Sequence, residues 1–271
     1  MSLSVAIAQL ASDSDAEANA RRSAAAVRDA ARGGARLVIL PEYASGWAPT
    51  ITADLAQETD GPFLAALRTA AAEAKVWVVA GMVTPSPSGP GRCENVAVLL
   101  GPDGEVAGEY RKVHLFDAFG VRESDVLDGG RPGGDNVLTV DLGGLRVGVA
   151  TCYDLRFPET FRLLADAGAD VLVVIAAWAD GPGKAEQLEV LTRARALENT
   201  CYLLLASQPG EGRVGRSALI EPLGTVIDQG GTGDEVILAA TLTQDVIAEA
   251  RAKVPSLSHR QFHVRPGPPT G

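Results

Sequence analysis

Cysteine is scarce: Cys93, Cys152 and Cys201 are the only three in 271 residues. The odd count and wide spacing exclude a disulfide framework and fit a reducing compartment, so the expected location is the cytoplasm. Histidine is equally scarce, with His114, His259 and His263 alone, and no His/Cys/Asp cluster has ligand spacing, so no metal site is expected. No apolar run reaches the ~18 residues of a membrane span. The opening MSLSVAIAQLASDSDAE lacks a basic n-region and reads as a short strand rather than a signal peptide. Runs of Lys and Arg are also missing. With 34 acidic against 24 basic side chains the net charge is −10, which argues against nucleic acid and anionic membranes as partners. The glycines of Gly129–Gly134 do not lead from a strand into a helix, so they read as turns and not as a nucleotide fingerprint.

What is present is ordinary for a globular chain: 46% hydrophobic and 21% charged residues. The expectation is a single domain over residues 1–271, with an extended tail from about residue 255. Short Val/Ile/Leu runs alternate with Ala-rich stretches. Strands are predicted at Ser4–Leu10, Arg36–Leu40, Val76–Val83, Val171–Ala177, Tyr202–Ser207 and Glu235–Leu242. Helices are predicted at Asp15–Arg32, Pro62–Lys75, Pro158–Ala167, Ala185–Thr200 and Thr243–Val254. Three hairpins interrupt the alternation: Asn95–Leu100 with Glu105–Lys112, Asn136–Asp141 with Arg146–Thr151, and Arg216–Glu221 with Thr225–Gln229. Hairpins among βα units disfavour a purely parallel sheet. The fold class is therefore α/β, with two mixed β-sheets and helices on their outer faces, four layers in all.

Three polar residues stand just beyond predicted strands: Glu42 after Leu37–Leu40 and Pro41, Lys112 in Tyr110–His114, and Cys152 after Leu145–Thr151. A strand end fixes a side chain while the following loop opens it to substrate. Each alone has a plain structural reading: a loop cap, a solvated charge, a small buried hydrophobe. Together they divide the work of acyl transfer. The carboxylate takes the thiol proton, the ammonium stabilises the thiolate and then the oxyanion, and the Tyr153 backbone N–H completes an oxyanion site. Cys93 and Cys201 open apolar runs and read as buried structure. His114 would face the same way as Lys112 along a strand and is at best a supporting group, which disfavours a Cys/His enzyme.

Pro41-Glu42, Tyr110-Arg-Lys112-Val-His114 and Cys152-Tyr-Asp-Leu-Arg156-Phe-Pro-Glu159 resemble the three signatures of the nitrilase, or carbon–nitrogen hydrolase, superfamily. The resemblance runs from Val5 to about Val254. It implies an αββα sandwich, a Glu-Lys-Cys triad of Glu42, Lys112 and Cys152, and no metal or other cofactor. It also implies a role for Glu123 in holding Lys112 and orienting substrate. The run after Cys152 is similar to that of the Nit-type amidases, the ω-amidase and deaminated glutathione amidase branch. The implied activity is cleavage of the C–N bond of a small non-peptide amide through a thioester, releasing ammonia and an acid. Nitrile or N-carbamoyl hydrolysis by the same triad, and a non-catalytic binding protein on the same fold, are the alternatives. One departure concerns the substrate: Glu186-Gln187-Leu188 stands where Nit-type members often carry His-Trp. By family resemblance Trp178 and Lys184 are substrate-contact candidates, with core packing and a solvated charge as the alternatives. Arg156 either binds a substrate carboxylate or pairs with Glu159 or Asp154. The resemblance further implies a homodimer through helices such as Pro158–Ala167 and Ala185–Thr200.

Overall fold

In the computed structural model residues 1–267 are described. Strands with two apolar faces set its architecture. In β1 (Ser2–Gln9) Val5 and Ile7 alternate with Ala6 and Ala8, and all four are buried. Such a strand needs cover on both sides. Val5 and Ile7 join the core between two sheets, while Ala6 and Ala8 pack beneath helices. The same division holds in β2 (Leu37–Ile39), where Leu37 and Ile39 face inward and Val38 faces the helices.

The first helix, α1 (Ala16–Arg32), starts where the Asp15 carboxylate accepts from the Ala18 N–H at 2.9 Å. It lies beside α2 (Pro62–Ala74) on the first sheet. That sheet continues through β3 (Trp77–Pro85), β4 (Cys93–Leu100) and β5 (Val106–Arg111). A small hairpin of β6 (Asp117–Ala118) and β7 (Val121–Arg122) and a short β8 (Leu127–Asp128) follow.

The second sheet contains β9 (Thr139–Leu142), β10 (Leu145–Thr151), β11 (Val171–Ala176), β12 (Tyr202–Ser207), β13 (Ala218–Ile220) and β14 (Val226–Gln229). Helices α3 (Pro158–Asp166) and α4 (Lys184–Asn199) cover its outer face. The closing β15 (Val236–Thr243) returns to the first sheet beside β1, and α5 (Gln244–Lys253) follows. Strand order is β15-β1-β2-β3-β4-β5 in one sheet, with β8 on β4, and β14-β13-β12-β11-β10-β9 in the other. Both are mixed: β1, β2 and β3 run parallel, as do β10, β11 and β12, with antiparallel strands outside them. The expected four-layer α/β sandwich is what forms.

Local departures have physical causes. The expected strand Asn136–Asp141 begins only at Thr139, because Gly133 and Gly134 take positive φ into a 3₁₀ turn at Gly134–Asn136. The Asn136 side chain instead bonds the Arg111 backbone, accepting from its N–H at 2.8 Å and donating to its carbonyl at 2.9 Å. The third hairpin starts at Ala218, since Arg216 sits at φ 54 and cannot continue a strand. The predicted tail makes a turn at residues 256–259 and then runs irregularly to 267; its last residues, 268–271, lie outside the described residues. Among the described residues no helix is long and apolar enough to cross a membrane.

Candidate active site

Carboxyl ends of parallel strands from the two sheets meet at one point, the usual place for a site in α/β folds. Glu42 follows β2, and its side chain is only 1% exposed. Its Oε2 accepts from the Ala177 N–H beyond β11 at 2.7 Å, and its backbone carbonyl accepts from Gln208 Nε2 beyond β12 at 2.7 Å. Those two bonds tie the first sheet to the second. Its Oε1 accepts from Asn95 Nδ2 at 2.7 Å and from Lys112 Nζ at 3.0 Å. Gly81 makes room for it: a Cβ there would stand 2.5 Å from the Glu42 Cα.

Lys112 follows β5 and is as deeply buried, at 1%. Besides Glu42 it donates to both oxygens of Glu123, at 3.0 and 2.8 Å. Glu123 is fixed in turn by the Tyr43 hydroxyl at 2.8 Å and the Phe116 N–H at 2.7 Å. One buried ammonium thus serves two carboxylates. Burial works against its charge, but the facing carboxylates of Glu123 and Glu42 outweigh that and hold Lys112 above the usual lysine range.

Cys152 follows β10 at φ 46, and Tyr43, next to Glu42, lies at φ 56. Both are left-handed conformations that non-glycine residues adopt only when their surroundings enforce them. The loop after Cys152 is held by Asp154, whose carboxylate accepts from the Thr151 N–H at 2.9 Å and the Tyr110 hydroxyl at 2.7 Å. His114 Nδ1 lies 2.7 Å from the same carboxylate, and its ring stacks on Phe157 at 3.6 Å. It therefore braces the loop and does not line the Cys152 pocket. Burial, and then the Glu42 charge, push the Cys152 thiol well above the usual range; Lys112 only partly opposes this. Lys112 is already shared by two carboxylates, which limits what it offers the sulfur.

The pocket around Cys152 has room for about 40 Å³ and is walled by Glu42, Tyr43, Phe116, Glu123, Tyr153, Ala177, Trp178, Ala179 and Lys184. All the sequence-predicted contact residues except Arg156 line it. Trp178 is buried and donates from Nε1 to the Lys184 carbonyl at 3.1 Å, so it shapes the wall and pins the start of α4. Lys184 is not the solvated charge of one reading: it is buried, with Nζ 3.3 Å from the Phe119 ring centre. Burial, and then the nearby Arg156, lower its pKa. Arg156 pairs with neither Glu159 nor Asp154. It donates to Gln187 Oε1 at 2.6 Å and lies over Trp178, 5.1 Å from the ring centre. Asn95, Tyr43 and Gln208 went unnoticed in the sequence, and Asp154 was considered there only as a partner for Arg156.

A carbon-nitrogen hydrolase family model matches residues 4–252. The chain belongs to the carbon–nitrogen hydrolase family. It is 36% identical over 262 residues to the deaminated glutathione amidase of Escherichia coli O157:H7, covering 95% of this chain and 97% of that one. It is 31% identical over 268 residues to the omega-amidase of Mus musculus, covering 95% and 94%. The crystal structure of the NitFhit protein of C. elegans superposes with a TM-score of 0.87 at 28% identity, covering 96% of this chain and 65% of that one. The enzyme is thus a carbon–nitrogen hydrolase on a nitrilase-like αββα sandwich.

Proposed function

We propose that this hydrolase cleaves the C–N bond of a small amide by covalent catalysis at Cys152. Glu42 takes the thiol proton as the sulfur attacks the amide carbonyl carbon. Negative charge then develops on the carbonyl oxygen, and the Lys112 ammonium and the Tyr153 N–H stabilise it. Glu42 returns the proton to the nitrogen, the C–N bond breaks, and ammonia or an amine leaves a thioester on Cys152. Water, deprotonated by Glu42, attacks the thioester; the acid departs and the sulfur regains its proton. No step calls for a cofactor. Glu123 acts through Lys112, whose Nζ it grips with both oxygens.

The observation that carries this reading is that one pocket is walled by the Cys152 thiol and the Glu42 and Glu123 carboxylates, while the buried Lys112 ammonium bonds both of those carboxylates. With Cys152 neutral, the Glu42, Lys112 and Glu123 charges sum to one negative. A carboxylate poised to accept a proton beside a neutral thiol is what general-base attack requires. Lys184, Arg156 and Trp178 are the proposed acyl-side contacts. Two neighbouring cations without an acidic partner there, among the described residues, favour an acyl group ending in an anion. A homodimer and a cytoplasmic setting complete the proposal.

The test is an ammonia- and amine-release screen over amides, ureido compounds and nitriles, with Cys152→Ala as control. Hydrolysis of amides that vanishes in Cys152→Ala is expected. A preference for the matching nitrile would replace amidase with nitrilase; turnover surviving in Cys152→Ala would end the covalent scheme.

A further inference from the structure

A chamber of about 580 Å³ shares no lining residue with the Cys152 pocket. Its size is within the ~300–1,000 Å³ range of ligand pockets. Val113, Val137, Val149, Leu163, Leu164 and Phe157 give it apolar walls. Residues 264–267 close one side, on a segment that Arg260 ties to Asp166 at the end of α3. Pro266 can seat there because residue 133 is glycine: a Cβ on Gly133 would overlap the proline ring.

The polar groups of this chamber are few. Glu159 and Arg265 are both exposed and of opposite sign, so the lining favours no net charge in a ligand. The Tyr110 hydroxyl is taken by Asp154, and the Asn136 amide by the backbone of Arg111 and Arg131. His114 is different. Its Nδ1 lies 2.7 Å from the Asp154 carboxylate, which can only accept, so Nδ1 carries the ring proton. Nε2 of the neutral ring is then an acceptor, and no described residue bonds it.

Three of the lining side chains also hold the loop that follows Cys152. Tyr110 and His114 both donate to Asp154, at 2.7 Å each, and Asp154 accepts from the N–H of Thr151, the residue before Cys152, at 2.9 Å. Phe157 stacks on His114 at 3.6 Å and meets the Tyr153 ring edge-on at 5.3 Å. Two side chains, His114 and Asp154, therefore link the chamber to the backbone at Cys152. We propose that the chamber is an effector site for an uncharged, largely apolar molecule that donates one hydrogen bond to His114 Nε2. A donor there fixes the imidazole from its second nitrogen, tightens its hold on Asp154, and so steadies Cys152 and the Tyr153 N–H. Occupancy of the chamber then raises the rate at Cys152 from outside its pocket.

The probes are 4-benzylphenol, its methyl ether 4-benzylanisole, which cannot donate, and the charged 4-benzylbenzoate, with binding read by calorimetry. The phenol is expected to bind at one site, and the other two at least about fivefold more weakly, the worth of one net hydrogen bond. Saturating phenol should raise kcat for the amide at least about twofold and change the rate of iodoacetamide labelling at Cys152 as much, the lower end of what packed side chains transmit. Leu163→Trp, which fills the chamber, should abolish binding and leave both basal rates unchanged. The probe comparison needs no variant, so it stands even if Leu163→Trp fails to fold. Equal affinities for phenol and ether, or undiminished binding to folded Leu163→Trp, would overturn the site. A raised KM with kcat unchanged would place the probe at Cys152 and overturn it too, and binding that moves neither rate would overturn the effector role. Labelling needs no turnover, so failure of the amidase reading would leave this test decidable.

Discussion

Replacing Lys112 by Met keeps the length of the side chain and removes its charge. Glu42 and Glu123 then face each other across a site where the former is 1% and the latter 10% exposed, with no cation between them. Breaking a buried ion pair by deleting one partner costs about 3–5 kcal/mol. For a domain of this size each kcal/mol moves the melting temperature by about 2–4 °C, so a drop of about 6–20 °C is expected. Neutralising one acid should relieve the repulsion, so Lys112→Met/Glu123→Gln should melt above Lys112→Met alone. Acidification should help too. Without the ammonium, a proton on either carboxylate removes the repulsion between them, so the deficit should shrink as the pH falls. Activity is a separate readout. Loss of an oxyanion donor costs ~10²–10³ in kcat, and the double variant should not recover it. Thermal melts at pH 7 and pH 5 with parallel kinetics decide the matter. A Lys112→Met protein melting within a degree or two of the parent, or unmoved by Glu123→Gln, would refute this account of the charge cluster.

Iodoacetamide should label Cys152 before Cys93 and Cys201, since both of those are fully buried while Cys152 opens onto the pocket. Because the Cys152 thiol is raised, its labelling rate should keep climbing above pH ~8.5, the ordinary thiol value; a plateau below it, read by intact mass, would point to a resting thiolate. Gly81→Ala would drive a methyl to 2.5 Å from the Glu42 Cα; kcat should fall at least about tenfold, and unchanged kinetics would show that Glu42 needs no such exact seat. Lys184→Met should raise KM for amides with an acyl-side carboxylate far more than for neutral ones; equal effects on both would remove Lys184 from recognition.

The layered fold and the side chains proposed to react were legible in the sequence for separate reasons. Strands such as Val171–Ala176, apolar at every position, announce burial on both faces whatever covers them. Glu42, Lys112 and Cys152 each stand just past a strand within a recognisable run. Their supports have no such signal. Asn95 reaches Glu42 across 53 residues and Gln208 across 166, each as an ordinary polar residue at a strand or its end. The mini-hairpin β6–β7 is too short for periodicity to show, yet it leads into Glu123.

The sequence by itself settled the alternation of elements and the two-faced strands, and it singled out the thiol, carboxyl and ammonium of the proposed mechanism, because local periodicity and short runs encode these. Only the tertiary structure decided which charges meet. It sets two carboxylates against one ammonium in a buried site, raises the Cys152 thiol above its usual range, and among the described residues leaves Arg213 and Lys184 without an ion-pair partner. Charge balance is a sum over neighbours far apart along the chain, so it exists only once the two sheets have met.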